Sequence, residues 1–206
     1  MNNKDLQQIE EPIQGKRRMP MNQCFMTNKK VDAEFYGKLQ LSSYRKQNQK
    51  ERYIEDMNVA QWVKDFGLTS RTTFYRKIKP LVESGVVKET TGLNGGKIYK
   101  LPVTKGHYTL VEYDILRMLT NAYNSDSIKV FMLCKVFHEN YGKMTLTREQ
   151  ILERIGQEPT RKLLVKVDDI MKALEGGGFI NIDKVEEVKE GRSKRIKYTV
   201  SLKGVE

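Results

Sequence analysis

A stretch of hydroxyl-bearing and cationic side chains between Ser70 and Val82 is the part of the sequence best suited to binding chemistry, and it contains no acidic residue. Arginine presents a planar fork of N–H donors that fits a phosphate or the edge of guanine, and hydroxyl groups bind phosphates or bases. An ordinary solvated helix face is the alternative, but the absence of acidic residues favours binding to a polyanion. The candidate contact residues are Ser70, Arg71, Thr72, Thr73, Tyr75, Arg76, Lys77 and Lys79.

Helical spacing of apolar residues predicts two short helices that position this stretch. Asn58 is the expected N-cap of the first helix, which ends at Gly67, and Ser70 is the expected N-cap of the second, which ends at Gly85. Pro80 removes a backbone donor, so the second helix is expected to bend or end near it. The apolar positions are Val59, Trp62, Val63 and Phe66 in the first helix, and Phe74, Ile78, Leu81 and Val82 in the second.

Two strands are predicted next, the first beginning at Val86 and the second running from Lys97 to Val103. Helix, turn, helix and two-stranded ribbon is the order of the winged helix-turn-helix family, and the sequence from Trp62 to Tyr75 resembles that family's turn and the start of its recognition helix. The resemblance covers Asn58 to Val103. It implies that the second helix lies in the DNA major groove. It also implies that lysines near the ribbon contact flanking phosphates, namely Lys79, Lys88, Lys97 and Lys100.

The same order of elements is predicted again in the second half of the chain. The sequence from Leu146 to Gly156 resembles the first helix of a second winged helix, and "GFI" at 178–180 matches "GVV" at 85–87. The expected fold is therefore α+β and mostly helical, with two winged-helix domains in tandem joined by a connecting helix. The predicted elements are helices at Leu110–Ala122, Ser127–Tyr141, Glu149–Ile155 (capped by Thr147) and Arg161–Leu174, and strands at Phe179–Val188 and Arg195–Leu202.

The second unit is a less clear candidate for DNA contact. Acidic residues in its equivalent helix, Asp168, Asp169 and Glu175, would repel phosphate unless they point away. A basic ribbon tip favours contact with phosphate or the minor groove. Dimerisation or binding of a partner protein is the rival interpretation. The candidate DNA-contacting residues here are Arg161, Lys162, Arg192, Lys194 and Arg195.

Three regions of the chain are expected: a basic polar arm at 1–25, a first winged-helix domain at 26–105, and a second one at 106–206 that begins with the connecting helix. The arm contains a basic cluster at 16–18, which suits either a DNA groove or a solubility tail. A helix is predicted over Val31–Tyr44, followed by a polar connection over 45–52.

The net charge of +11 is concentrated in one half of the chain. Residues 1–105 have 20 basic and 11 acidic side chains, a net of +9, whereas residues 106–206 have 17 and 15, a net of +2. Such asymmetry favours a polyanionic partner, most commonly nucleic acid, although an anionic membrane surface or an acidic protein fits the same number.

Several other functional classes find no support in the sequence. No apolar run reaches 18 residues and the first residues lack a signal-peptide pattern, so a cytoplasmic protein without membrane contact is expected. Two cysteines and two histidines, without metal-ligand spacing, predict no metal, no cofactor and no enzyme activity. The aromatic residues are scattered along the sequence, which argues against a stacking surface for single-stranded nucleic acid.

The predicted function is sequence-specific binding of double-stranded DNA. The tandem arrangement resembles plasmid and phage replication initiators and related mobile-element regulators, and the residues do not separate replication from transcription regulation. Expected partners are double-stranded DNA and, in addition, a second copy of the chain or a replication or transcription protein. The alternative is a winged-helix scaffold or adaptor that binds proteins within a larger assembly.

Overall fold

Helices and strands alternate along the computed structural model, which describes residues 18–45, 52–55, 59–92, 95–102, 108–190 and 193–203. The fold class is α+β, as the sequence predicts. The helices are α1 (Ala33–Ser42), α2 (Val59–Asp65), α3 (Arg71–Glu83), α4 (Tyr113–Ala122), α5 (Ser125–Tyr141), α6 (Arg148–Arg154) and α7 (Arg161–Gly176). The strands are β1 (Arg18–Asn22), β2 (Tyr44–Arg45), β3 (Arg52–Glu55), β4 (Lys88–Thr91), β5 (Lys97–Leu101), β6 (Tyr108–Glu112), β7 (Met144–Thr147), β8 (Ile180–Glu190) and β9 (Ser193–Leu202).

Two parts of the chain have the same order of elements. The first unit, residues 33–101, contains α1, β3, α2, α3, β4 and β5, with the two-residue strand β2 added after α1. The second unit, residues 125–202, contains α5, β7, α6, α7, β8 and β9. In each sheet the strand that directly precedes the second helix, β3 or β7, pairs with the last strand, giving antiparallel orders β2-β3-β5-β4 and β7-β9-β8.

The predicted arm over 1–25 is wrong for its last part, because residues 18–25 are folded. β1 pairs with β6 in an antiparallel two-stranded sheet, and a short 3-10 helix follows at Gln23–Phe25. The cause is burial: Met19, Met21 and Phe25 are completely enclosed. Of the predicted basic cluster at 16–18, Lys16 and Arg17 lie outside the described residues, and Arg18 is the first residue of β1.

Strand β6 also corrects the predicted connecting helix, which begins at Tyr113 rather than at Leu110. Val111 fits the helical spacing of α4, but it also fits the alternation of a strand and lies opposite Met19 in the two-stranded sheet. The polar connection predicted over 45–52 is wrong at both ends, because β2 ends at Arg45 and β3 begins at Arg52.

The two units and the two-stranded sheet share one continuous apolar core, which extends from Met19 to Val200. Within it, Lys129 of α5 is almost fully buried, and its Nζ donates to the carbonyl of Asn28 at 2.8 Å. This burial lowers the pKa of the Lys129 amine. The loop that contains Asn28 also packs on the turn between α6 and α7, where Gly156 lies against the Thr27 carbonyl.

The predicted caps of two helices are confirmed. Ser70 accepts a hydrogen bond from the Thr73 amide at the start of α3, and Thr147 forms a capping box with Gln150 at the start of α6. Asn58, the expected cap of α2, lies outside the described residues. In the described part of the chain no helix is both long and apolar enough to cross a membrane.

Candidate nucleic-acid interface

Helix α3 is held in place by its buried side. Phe74, Ile78 and Leu81 are enclosed in the core, and the Phe74 ring contacts Trp62 at 5.9 Å and Phe35 at 5.4 Å between centroids. Because one side of the helix is fixed in this way, the opposite side is presented to solvent in a defined orientation.

The helix does not end near Pro80 but continues to Glu83. The proline removes one backbone hydrogen bond. Ile78 and Leu81, one on each side of it, are both buried, and their packing holds the two neighbouring turns together. The predicted contact residues from Arg71 to Lys79 are therefore on one helix, with Ser70 as its N-cap.

The predicted contact residues of α3 divide into two groups. Arg71, Thr72, Tyr75, Arg76 and Lys79 are exposed and follow helical spacing on one side; we call them the α3 surface. Within the described residues, the side chains of Arg71, Thr72 and Arg76 make no hydrogen bond or ion pair, whereas Lys79 has a long ion pair with Glu83 at 3.8 Å. This surface therefore offers unpaired guanidinium groups to a ligand.

The remaining predicted residues of this helix have structural contacts. Lys77 turns towards α1, where its Nζ binds the carboxylate of Asp32, the N-cap of α1. Ser70 is occupied as a cap, and the Thr73 hydroxyl bonds with that of Thr69 at 2.9 Å. These three side chains are less available for a ligand than the α3 surface.

The β4–β5 hairpin beside α3 carries three lysines in different settings. Lys97 forms an ion pair with Glu89 at 2.8 Å, so its charge is already balanced. Lys88 and Lys100 lie directly opposite each other in the strand register, and no carboxylate pairs with Lys88 in the described chain. The turn residues 93–94 lie outside the described residues.

The start of α7 in the second unit resembles the start of α3. Thr160 caps the helix, and Arg161 and Lys162 are exposed without an ion pair among the described residues. Further along, Lys166 binds Asp126 at 2.6 Å, much as Lys77 binds Asp32. In the described chain, Arg161 and Lys162 are thus the exposed unpaired cations at the start of α7, and Lys172, near the other end of the helix, is exposed without an ion pair as well.

The acidic residues of α7 mostly point away from that turn. Asp168 accepts hydrogen bonds from Arg148 Nη1 at 3.0 Å and from the Tyr198 hydroxyl at 2.7 Å. Burial, together with the hydrogen bond to Asp168, raises the pKa of the Tyr198 phenol. Glu175 accepts from the Ile182 amide at 2.9 Å. Of the three acids in this helix, only Asp169 is exposed.

Three lysines of the β8–β9 hairpin form ion pairs with glutamates of β8. Lys194 binds Glu187 at 2.8 Å, and this ion pair raises the pKa of the lysine. Glu186 bonds with Lys184, which lowers the pKa of the carboxyl group, and Lys197 lies 3.7 Å from the same residue. Arg195 is half-buried, and Arg192 lies outside the described residues. The predicted basic tip is thus less basic than its sequence indicates.

Sequence reasoning missed the partners that remove cations from the surface, above all Asp32 and Asp126. It also missed that Tyr44 and Tyr53, nine residues apart, lie opposite each other across β2 and β3. Asp32 stands directly before an apolar helical pattern, a position typical of an N-cap. The sequence therefore does indicate that Asp32 lies at the start of α1. Nothing local in the sequence indicates either pairing.

Among the described residues, no three His, Cys, Asp or Glu side chains are grouped as a metal site would require. His107 lies outside these residues, and His138 is half-buried on α5. Comparison of the sequence with protein-family models and with curated proteins found no match.

Proposed function

We propose that this chain is a sequence-specific double-stranded DNA-binding protein built from two winged helices. The repeated order of helix, strand, helix, helix, strand, strand supports this fold assignment, as does the pairing in both units of the last strand with the strand before the second helix. In that fold the third helix contacts the major groove, which corresponds to α3 and α7.

The α3 surface is the observation that carries the proposal. It combines two unpaired arginines, Arg71 and Arg76, with a threonine hydroxyl on a helix whose opposite side is buried. Bidentate donors on a rigid helix suit base edges, while Lys79 at the far end suits a phosphate. The second unit adds phosphate contacts through Arg161 and Lys162 in this proposal.

The cellular role we propose is initiation of replication of a plasmid or phage type, or regulation of transcription. The two roles share the same DNA-binding chemistry, and the tandem arrangement supports both equally.

A second candidate function is binding of a partner protein through the second unit. Three lysines of its β8–β9 hairpin are paired with carboxylates, and it exposes three large apolar side chains, Tyr141, Val165 and Val185. An adaptor would use this unit for docking rather than for DNA, in a heteromer or a homodimer.

Fluorescence anisotropy with labelled duplexes tests the proposal, comparing a randomised duplex with the sequence upstream of the gene, at about 50 and 200 mM salt. We expect a preference for one duplex and an affinity that falls by orders of magnitude at the higher salt. Arg71→Ala should flatten the preference, whereas Lys79→Ala should weaken all duplexes alike and reduce the salt slope by about 1.

The matched control is Lys143→Ala, which removes an exposed lysine from the turn after α5 and should leave both affinities unchanged. Absence of duplex binding at the lower salt would refute the DNA-binding function. In that case, a partner captured by the second unit becomes the favoured function.

A further inference from the structure

The first helices of the two units touch at their N-terminal ends. The Ala33 amide of α1 donates to the Ser125 hydroxyl of α5 at 2.8 Å. A second contact lies close by, because Lys129 of α5 donates to the carbonyl of Asn28 at 2.8 Å, in the turn that precedes α1. Hydrogen bonds with α5 thus flank Asp32, the N-cap of α1, on both sides in the sequence.

The third helices are attached to the same two helix ends. Lys77 of α3 binds the carboxylate of Asp32, and Lys166 of α7 binds that of Asp126 at 2.6 Å. Asp126 lies in the first turn of α5, next to Ser125. Each third helix is therefore held to the first helix of its own unit by one lysine, and both points of attachment lie where the first helices meet.

Lys129 is buried beside both aspartates. It follows Asp126 by three residues, so the two side chains lie on the same side of α5. The lysine is 1% exposed, and burial lowers the pKa of its amine, while the charges of Asp126 and Asp32 act in the opposite direction. Charges thus alternate in sign from α3 to α7. We call this set the bridge, and its members in order are Lys77, Asp32, Lys129, Asp126 and Lys166.

Charged neighbours in the turn before α1 and in its first turn lie outside the bridge. Glu34 pairs with Lys38 at 2.7 Å, and the two lysines at 29–30 are exposed. The bridge has three cations and two carboxylates, and the Asn28 carbonyl supplies a further acceptor for the central amine. If an apolar side chain replaces Lys129, each aspartate still has its other lysine.

Apolar contact between α1 and α5 would not by itself fix the two units closely. Burial of apolar surface is non-directional, whereas a buried, hydrogen-bonded charge can determine register. We propose that Lys129 is a positioning residue, which fixes α3 and α7 relative to each other and thereby sets the spacing between the two DNA segments that the units contact. This inference rests on the proposed DNA-binding function and adds spacing to base sequence as a determinant of the duplex bound.

The first measurement uses a duplex that the unmodified chain selects from a randomised pool about three helical turns long. Footprinting locates the two protected segments, and two base pairs are then inserted between them. The insertion moves one segment by about 7 Å and turns it by about 70° around the duplex axis. We expect the unmodified chain to lose about 10-fold in affinity or more, because one unit loses its phosphate contacts, and Lys129→Met to lose about threefold or less.

The second measurement does not involve DNA. Spin labels attached after Thr72→Cys and Lys162→Cys, at the second residue of α3 and of α7, report the distance between these helices by double electron–electron resonance. Both positions are exposed, and Cys24→Ser removes the exposed native cysteine, whereas Cys134 is buried. We expect one narrow distance distribution when Lys129 is present and a broader one with Lys129→Met, because the bridge is interrupted.

Lys135→Met is the matched control. Lys135 is also a buried lysine of α5, 8% exposed, but it pairs with Glu139 of the same helix at 3.1 Å and is not part of the bridge. This variant should retain both the insertion penalty and the narrow distribution. Thermal melting establishes that each variant is folded, and Lys129→Gln replaces Lys129→Met if the latter is not.

Three results would overturn the proposal. The first is a folded Lys129→Met variant that retains either the insertion penalty or the narrow distribution. The second is an equal broadening by Lys135→Met, which would make broadening a general effect of removing a buried lysine from α5. The third, for the unmodified chain, is a single protected segment or no loss of affinity from the insertion.

Failure of the DNA-binding function gives a different result. In that case the unmodified chain selects no duplex from the pool, which refutes the role in spacing as well. The distance distributions with and without Lys129 then show whether the bridge fixes α3 and α7. A preference for the selected duplex without an insertion penalty, in contrast, overturns only the role of Lys129.

Discussion

The first and second units have a third helix at the same point in the same order of elements. The two helices differ in which of their cationic side chains are paired with a carboxylate. Arg71 and Arg76 are unpaired on successive turns of α3. On α7, Arg161 and Lys162 are unpaired in the first turn, Lys166 is paired, and the next unpaired cation, Lys172, lies near the other end of the helix. The hairpins differ as well, because three lysines of the β8–β9 hairpin, Lys184, Lys194 and Lys197, are paired with Glu186 or Glu187.

One feature common to both units explains part of this difference. In each, a lysine on the third helix binds an aspartate at the start of the first helix, Lys77 with Asp32 and Lys166 with Asp126. These lysines join helices, and their charge is not available to a ligand. A count of basic residues therefore overestimates the positive charge that a surface offers to a ligand. The cations without a carboxylate partner are the ones to compare between the units.

The largest expected effect is on the free energy of unfolding, and it compares how tightly the third helix of each unit packs against the core. Phe74 and Leu164 are each the fourth residue of their helix, but Phe74 is fully enclosed by aromatic rings while Leu164 is only partly buried. Phe74→Ala should lower the free energy of unfolding by about 3–5 kcal/mol and Leu164→Ala by about 1–2 kcal/mol. Urea denaturation measures both, and equal losses would show that the two helices are equally fixed.

Two glycines with left-handed backbones test where the second unit meets the N-terminal loop. Gly156 has φ of 76° and its added Cβ would lie 2.1 Å from the Thr27 carbonyl oxygen, whereas Gly85 has φ of 73° with nothing within 4 Å. Gly85→Ala should cost about 1–2 kcal/mol for the backbone conformation alone. Gly156→Ala should cost about 3 kcal/mol, because the loop must also move. Similar melting temperatures for the two variants would contradict the close approach.

Affinity for duplex DNA gives the direct comparison of the two helices. Arg71→Ala should reduce affinity for the preferred duplex by about 10- to 100-fold, since a bidentate base contact contributes about 1–3 kcal/mol. Arg161→Ala should reduce it by about threefold or less, as expected for one phosphate contact near the rim. Anisotropy titrations measure both, with Lys143→Ala as control. A larger loss for Arg161→Ala would make the second unit the principal DNA-binding unit.

Local signals in the sequence predicted the helices well. Ser70 and Thr147 were identifiable as caps because each is a short hydroxyl residue directly before apolar positions at helical spacing. The buried positions Phe74, Ile78 and Leu81 follow from the same spacing. These features depend on neighbours a few residues away, which is the range over which periodicity carries information.

Features that depend on distant partners were not predictable in this way. β1 contains Pro20 and is stabilised by β6, some ninety residues further along, so its sequence resembles a polar arm. Likewise, the availability of a cation depends on whether a carboxylate reaches it through space, as Asp126 reaches Lys166 across 40 positions. The candidate residues of α3 were found from sequence, but their division into unpaired and paired groups required the fold.

The smallest expected effect is a gain of binding in the second unit. If paired charge is what separates the β8–β9 hairpin from a DNA-binding surface, the double variant Glu186→Gln, Glu187→Gln releases Lys184, Lys194 and Lys197 while preserving side-chain size. Duplex affinity should rise by about two- to fivefold at low salt, and its dependence on salt should steepen, because additional phosphates are neutralised. The control Glu153→Gln removes an exposed carboxylate from α6 and raises the net charge by one without releasing a hairpin lysine. An equal gain per charge from the control would mean that net charge, rather than release of these lysines, strengthens binding.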